Sequence, residues 1–417
     1  MKKLIILATL FVVTNFAVIA HCIEIEEPKE DITSYKNVIM FIGDGMGPNH
    51  VDAGGVYLGK SLCFDVTDDN WKYHAYSNTD SRTSEAFTLD ESKSLIRPEL
   101  NKTLYDGTPS PYDKNTVIGT SGNITTYTDS AAGGTALSTG VKTTNSRIGM
   151  DIDGTPLENL VEIAKDLNKK TGVVSSDEIV GATPSSFLVH VGERHLSDEI
   201  LTQIATSKAD LVLAKTTDAY KNAKEKYDGM FNTNGYSVIN EKSQLSVNGD
   251  KMIGIFPGVA PKTDPRIPSL AELTVFALDY LDNDEGFFLM VEGANIDKQS
   301  HSNQTKLMLN ELLGFNEAIE AAMAWAEGRD DTLMVVTADH ETGALSYNRE
   351  TATQETIVKD IKWDSQNHSR TRVDIAVYGD ITSFVKRFGS NFKRLEGLPY
   401  WDNTDIFRLC SWYLTNC

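Results

Sequence analysis

Apolar positions along the chain fall into two alternating kinds of segment. One kind is short and continuous. Asn37 to Ile42, Phe287 to Val291 and Thr332 to Val336 are runs of this kind, each closed by a glycine, an acid or a threonine-alanine-aspartate turn. A strand buried on both faces needs such a run, because neither set of alternating side chains meets water. Val373 to Tyr378 and a segment opening at Gly172 read as two more strands. The other kind has helical spacing. Leu157, Leu160, Val161, Ala164 and Leu167 share a face, with Thr155-Pro156-Leu157-Glu158 as a capping box before them and Gly172 as the stop. Thr305 to Glu327 places Leu309, Leu312, Leu313, Ile319 and Met323 near one face and ends at Gly328. Ser197 to about Lys226 is polar enough to predict surface helices. Strands alternating with amphipathic helices predict an α/β fold: a single large domain, with a mostly parallel central sheet and helices on both faces. No repeat or linker divides it.

Two stretches fall outside this pattern. Met1 to Ala20 has Lys2-Lys3, an apolar run from Leu4, and Val18-Ile19-Ala20 before a cleavage point. It reads as a secretory signal peptide, which leaves residues 21–417 as the single folded domain. No second apolar span follows, and the end of the sequence is too short and polar for a lipid-anchor signal. The expected location is secreted or periplasmic, with no stable membrane anchor. From about Thr79 to Thr120, Ser, Thr, Asp, Pro and Lys replace the apolar period, which predicts a surface insertion.

Charge narrows the partners. The 417 residues carry 39 basic and 59 acidic side chains, for a net charge of −20. That argues against a nucleic-acid or anionic-membrane surface. An anionic substrate would need positive charge supplied locally. The four cysteines show no CxxC spacing, and an oxidising compartment makes Cys410 with Cys417 a candidate disulfide.

Candidate chemistry collects where such sheets place it, just beyond strand ends. Asp44 follows the first strand, Glu292 the Phe287–Val291 strand, and Asp339-His340 the Thr332–Val336 strand. Carboxylates gathered at one edge repel unless cations lie between them. Asp297 and His301, at i and i+4, face one way on a helical turn and can grip one metal. His368 lies in a polar loop before the last strand. Oxygen and nitrogen donors without cysteine suit zinc, and a carboxylate-rich neighbour suits magnesium. The Asp129-Ser130 pair opens a run of small residues and reads as the start of a packed helix. By itself that pair also fits an ordinary N-cap. Beside two metals, Ser130 becomes a nucleophile for phosphoryl transfer, activated by a metal rather than by a histidine base. An arginine is then needed to hold the non-bridging oxygens.

Several long segments resemble the alkaline phosphatase family. They are Asn37 to Gly47, Asp129-Ser130-Ala131-Ala132 with Ser138 to Thr143, Ala182-Thr183-Pro184 with His190 and Arg194, Val291 to His301, and Thr337 to Gly343. The resemblance implies a metal-dependent phosphomonoesterase that passes through a phosphoserine on Ser130, acts on small phosphomonoesters and works best at high pH. It implies two zinc ions, one held by Asp297, His301 and His368, the other by Asp44, Asp339 and His340 with Ser130 joining. It implies a magnesium held by Asp44, Thr183 and Glu292, phosphate binding by Arg194, and a homodimer. Asp129 is expected to orient Arg194, and Lys298 to reach the phosphate directly or through water. Family members usually carry Asp or His just before Ala-Thr-Pro. Here Gly181 stands there, which puts the identity of the third site in question and leaves Lys298 with no expected carboxylate partner. A phosphodiesterase or sulfatase would use Thr or a modified Cys, against Asp-Ser-Ala-Ala. A binding protein without turnover would not be expected to keep Ser130, Arg194 and all the ligands.

Overall fold

Among the described residues eleven strands make one sheet, and its middle is the set of apolar runs read from the sequence. The computed structural model describes residues 35–65, 71–81, 127–246, 249–260, 264–389, 393–395 and 398–416. The signal-peptide reading, Cys417 and residues 82–120 of the expected insertion lie outside them. In chain order the strands are β1 (Asn37–Gly43), β2 (Tyr73–Asn78), β3 (Lys170–Glu178), β4 (Leu211–Lys215), β5 (Ser237–Ile239), β6 (Met252–Phe256), β7 (Phe287–Gly293), β8 (Thr332–Thr337), β9 (Glu341–Thr342), β10 (Leu345–Ser346), β11 (Lys362–Trp363), β12 (His368–Ser369), β13 (Val373–Tyr378), β14 (Lys393–Leu395) and β15 (Leu398–Asp402). The large sheet runs β14-β15-β2-β13-β8-β1-β7-β3-β4-β6-β5. From β8 to β5 every neighbour is parallel. β13 is reversed against both β8 and β2.

The two-sided burial of β1 explains its unbroken apolar run. Val38, Met40 and Ile42 enter the core on one face, and Ile39 and Phe41 the core on the other. The first face is covered by the helices Ser130–Thr139, Leu160–Asp166 and Asn403–Thr415, the second by Leu270–Leu281 and Thr305–Ala326. Each fully buried Ile, Phe or Met in these layers contributes about 1.5–3 kcal/mol by leaving water. The register sets the central strand ends level. Ile42 lies opposite Glu292 on one side and Thr337 on the other, and Ser175 lies opposite Glu292.

Several expectations change. The helix expected from Thr155 begins at Leu160, with Asn159 and Glu162 forming the capping box. Thr155 is already held in a turn, its N–H donating to Asp151 Oδ1 and its carbonyl accepting from Asp151 N–H. The helix stops at Asp166, before Asn168 in the left-handed region, and β3 opens at Lys170 rather than Gly172. The Ser197–Lys226 stretch contains the buried strand β4 between its helices. Thr79 and Ser81 are buried, not an exposed flank: Ser81 N–H donates to Thr128 Oγ1, and that hydroxyl donates to the Thr79 carbonyl. Cys410 is buried in the core on the C-terminal helix and is a free thiol among the described residues, while Cys417, its candidate partner, lies outside them.

Candidate active site

Ser130 is the first residue of the Ser130–Thr139 helix, and it is buried. Asp129 does two jobs there. Its Oδ1 accepts from Ala132 N–H at 2.9 Å, which caps the helix, while Oδ2 accepts from Ser146 N–H at 2.9 Å and from Arg194 Nη1 at 3.0 Å. The cap and the arginine-orienting contact thus coexist in one carboxylate. The small residues that follow answer to space. A Cβ at Gly133 would lie 2.8 Å from the Asp339 carbonyl oxygen, and one at Gly134 would lie 2.9 Å from Ser186 Oγ. Glycine lets this helix press onto the loop after β8 and onto the turn bearing Thr183.

Two groups of oxygen and nitrogen donors face Ser130. In one, Asp297, His301 and His368 bring ligand atoms within 4.8 Å of one another; in the other, Asp44, Asp297 and His340 do so. The short helix Asn295–His301 puts Asp297 and His301 one turn apart, with Asp297 Oδ1 3.3 Å from His301 Nε2. The β9–β12 pairing brings His368 in, 3.6 Å from the same oxygen. Both rings are oriented from behind, since His301 Nδ1 lies 2.6 Å from the Gln366 carbonyl and His368 Nδ1 2.6 Å from the Thr128 carbonyl. Donation from Nδ1 leaves both Nε2 lone pairs converging, 3.1 Å apart, an arrangement suited to a shared cation. His340 Nε2 lies 3.4 Å from Asp44 Oδ1, 3.3 Å from Asp339 Oδ2 and 3.2 Å from Ser130 Oγ. Burial, and then the neighbouring His368, His301 and Arg194, hold the His340 imidazole well below its ordinary pKa, so it is neutral and free to donate a lone pair.

A third group lies beside these. Glu292 ends β7, Thr183 lies in the Ala182–Ser185 turn, and Asp44 follows β1. Burial raises the pKa of Asp44 well above the carboxylate range, reinforced by Asp339, Asp297, Glu292 and Asp177. Burial and then Asp177 push Glu292 up to about 8, and burial and then Asp297 push Asp339 up to about 7. Asp44 Oδ1, Asp339 Oδ2, Glu292 Oε1 and Thr183 Oγ1 are buried and make no hydrogen bond. Orphaned oxygens at that depth each cost about 1–3 kcal/mol, more for a charge, so the residues fit bound cations.

Arg194 holds its charge: burial lowers its pKa, but Asp129, Asp44 and Asp177 outweigh that and raise it. Lys298 departs from expectation. It does have a carboxylate partner, Asp177 at the end of β3, with which it forms an ion pair. Sequence reasoning missed Asp177 because it sought an acid next to Ala-Thr-Pro and found Gly181. It also missed Thr342, whose hydroxyl donates to Asp297 Oδ1 at 2.5 Å and lies 3.2 Å from His340 Nδ1. Its position three residues after Asp339 was the available signal.

The alkaline phosphatase family model matches residues 98–382. Alkaline phosphatase 4 of Bacillus subtilis (strain 168) is 32% identical over 330 residues, 76% of this chain and 64% of its own. Alkaline phosphatase H of Pseudomonas aeruginosa (strain UCBPP-PA14) is 30% identical, over 82% of this chain and 80% of its own. The chain spans about 64% of the length of the two Bacillus relatives it matches. Among solved structures, a histidine-to-aspartate mutant of TAB5 alkaline phosphatase, described with Mg bound in its M3 site, superposes with a TM-score of 0.67 at 25% identity, over 91% of this chain and 98% of that one. The alkaline phosphatase of a psychrophilic Shewanella shares the fold, with a TM-score of 0.69 at 23% identity, over 91% of this chain and 100% of its own. On the match to its family model and to these relatives, the chain belongs to the alkaline phosphatase family.

Proposed function

We propose that the protein hydrolyses phosphate monoesters to an alcohol and inorganic phosphate through a phosphoserine on Ser130. The observation that carries this reading is Ser130 Oγ, buried at a helix N-terminus and 3.2 Å from the neutral His340 amid converging, unpartnered oxygen donors. Asp297, His301 and His368 would hold one zinc. Asp44, Asp339 and His340 would hold the second, with Asp297 within reach of both groups. Asp44, Thr183 and Glu292 would hold magnesium. When bound, these cations supply the positive charge that favours a deprotonated serine and a negative leaving oxygen, and they ease the deprotonation of water.

The chain supplies the rest. The helix start directs its N–H groups and positive dipole end towards the serine oxygen and its incoming phosphoryl group. Arg194, held on one side by Asp129, offers its remaining N–H donors to the phosphoryl oxygens. The Ser130 oxygen attacks phosphorus as the bond to the alcohol oxygen breaks. Water then attacks the phosphoserine, and Ser130 leaves with its oxygen. The Asp-Ser-Ala-Ala segment and the donor set favour monoesters as substrates. Met1 to Ala20 supports export, and among the described residues no helix is long and apolar enough to cross a membrane.

Purified protein loaded with zinc and magnesium should hydrolyse a chromogenic monoester at alkaline pH, faster than a diester or a sulfate ester. Turnover should vanish with a chelator and in Ser130→Ala. Loaded protein no faster than Ser130→Ala would end this reading.

A further inference from the structure

Gly181 is a glycine with no backbone reason to be one. Its φ of −54° and ψ of 143° suit any L-residue. What excludes a side chain there is Asp177. A Cβ at Gly181 would lie 2.7 Å from Asp177 Cγ, and nearer still to Oδ2. The carboxylate of Asp177 fills the volume that a residue at 181 would otherwise fill.

That carboxylate is also fixed. Its Oδ1 pairs with Lys298 and accepts from Glu178 N–H at 2.6 Å. Asp177 N–H donates to Ser175 Oγ at 2.7 Å, and the same hydroxyl donates to Glu292 Oε2. Gly181 N–H donates to the Glu178 carbonyl at 2.7 Å, closing the turn that leads to Thr183. So one tight loop joins Asp177 to Glu292 and to the Thr183 turn. Two fully buried side chains there, Thr183 through Oγ1 and Glu292 through Oε1, lack a hydrogen-bond partner. Asp177 is itself 13% exposed, at the rim of this group. The Lys298 ammonium is drawn to Asp177, Glu292 and Asp44, yet Thr183 Oγ1 and Glu292 Oε1 stay without a partner beside it, and a hard cation ligated by oxygen would satisfy both.

We propose that Asp177 is the positioning carboxylate of the third cation site, serving it from the end of β3 and holding Lys298 beside it, in the space left by Gly181. This rests on the site assignment made above. A divalent cation of magnesium chemistry is the ligand, and Asp177 acts through Lys298 and the charge around Glu292 and Thr183.

The test is calorimetric titration of magnesium into zinc-loaded protein, with zinc content and melting temperature measured alongside. Asp177→Asn keeps the shape and removes the charge, and should weaken magnesium by about 10–100-fold, as loss of an outer partner typically does. Zinc content should not change. Gly181→Ala keeps both Asp177 and Lys298 yet displaces the carboxylate, and should also weaken magnesium. In an Asp177→Ala background, Gly181→Asp returns a carboxylate to the same volume and should recover most of the affinity. Magnesium affinity within twofold of the parent in Asp177→Asn would overturn the proposal. So would Asp177→Ala/Gly181→Asp binding no tighter than Asp177→Ala. A parent that binds magnesium without hydrolysing monoesters would sink the proposed function and leave Asp177 in its role. An active parent with unchanged binding in Asp177→Asn would sink only the role of Asp177.

Discussion

Asp129 couples a helix cap to the Arg194 guanidinium, and two substitutions separate its jobs. Asp129→Ala removes the helix cap, the acceptor for Ser146 N–H and the Arg194 partner together. The cap is worth about 1 kcal/mol. The Arg194 pair is partly buried, with side chains 27% and 16% exposed, so it falls between an exposed bridge and a buried one. A contribution of about 1–2 kcal/mol is reasonable for it, between the ~0.2–1 kcal/mol of exposed pairs and the ~3–5 kcal/mol lost on breaking buried ones. Asp129→Ala should therefore lose about 2–3 kcal/mol of stability. Asp129→Asn keeps an oxygen for Ala132 N–H but sets an amide NH2 where Oδ2 accepts from Ser146 N–H and Arg194, so it spares the cap and loses the hold on Arg194. It should stay within about 1–2 kcal/mol of the parent in stability. A freed Arg194 must be re-ordered when phosphate binds. Both variants should then raise the inhibition constant of inorganic phosphate by roughly 5–30-fold, the equivalent of the pair's ~1–2 kcal/mol. The assay is phosphate inhibition of monoester hydrolysis, with urea melts and zinc analysis on the same preparations. Tighter phosphate binding in Asp129→Asn would mean that repulsion by this carboxylate outweighs its hold on Arg194, and would refute the positioning argument. Loss of zinc in Asp129→Asn would refute it too.

Two further predictions concern the acids and the glycines. In metal-free protein the raised pKa of Glu292 means that the native state keeps a proton which the unfolded chain releases, so stability is full below about 4.5 and is lost as pH rises through about 8. Asp339 acts the same way between 3.8 and about 7. Chelated protein should melt lower at pH 9 than at pH 6, and zinc with magnesium should reduce the difference; a chelated melting point that is flat or rises over this range would contradict the raised values. Gly133→Ala should destabilise and cost zinc despite the ~1 kcal/mol gain in helix propensity, because its Cβ meets the Asp339 carbonyl at 2.8 Å. Gly229→Ala, in the exposed face of the Lys224–Thr233 helix with nothing within 4 Å, should gain about 0.5–1 kcal/mol, and thermal melts of both variants check the contrast.

Much of this was legible in the chain because central strands and motif loops are local in sequence. An unbroken apolar run such as Asn37–Ile42 has one economical explanation, a strand covered on both faces, and the acid that follows it then falls at a sheet edge. β4 was not legible, since Leu211 to Lys215 is short and sits between polar helices whose composition hides it. The Thr155 box failed for a different reason. Its signature was present, but Asp151 had already captured Thr155 in a turn, and the Asn159–Glu162 pair four residues on closed the same kind of box. A capping pattern records which side chains can satisfy a helix start, and two overlapping patterns compete through contacts that spacing does not encode.

The Lys298 partner shows the limit more sharply. A residue-by-residue comparison asks what stands at one position, and Gly181 answers that the acid is absent. The site asks what fills a volume. Asp177 stands four residues earlier, on the far side of the turn closed by Gly181 N–H and the Glu178 carbonyl, and reaches the same space from β3. Either residue alone reads as a loss or as a surface acid. Only the exclusion between them, a carboxylate where a Cβ would have to go, makes one position the counterpart of the other. Substitution at 177 and at 181 should therefore be strongly non-additive. If the effects on magnesium affinity of Asp177→Ala and Gly181→Asp simply add in the double variant, to within about 0.5 kcal/mol, the two positions do not share a function.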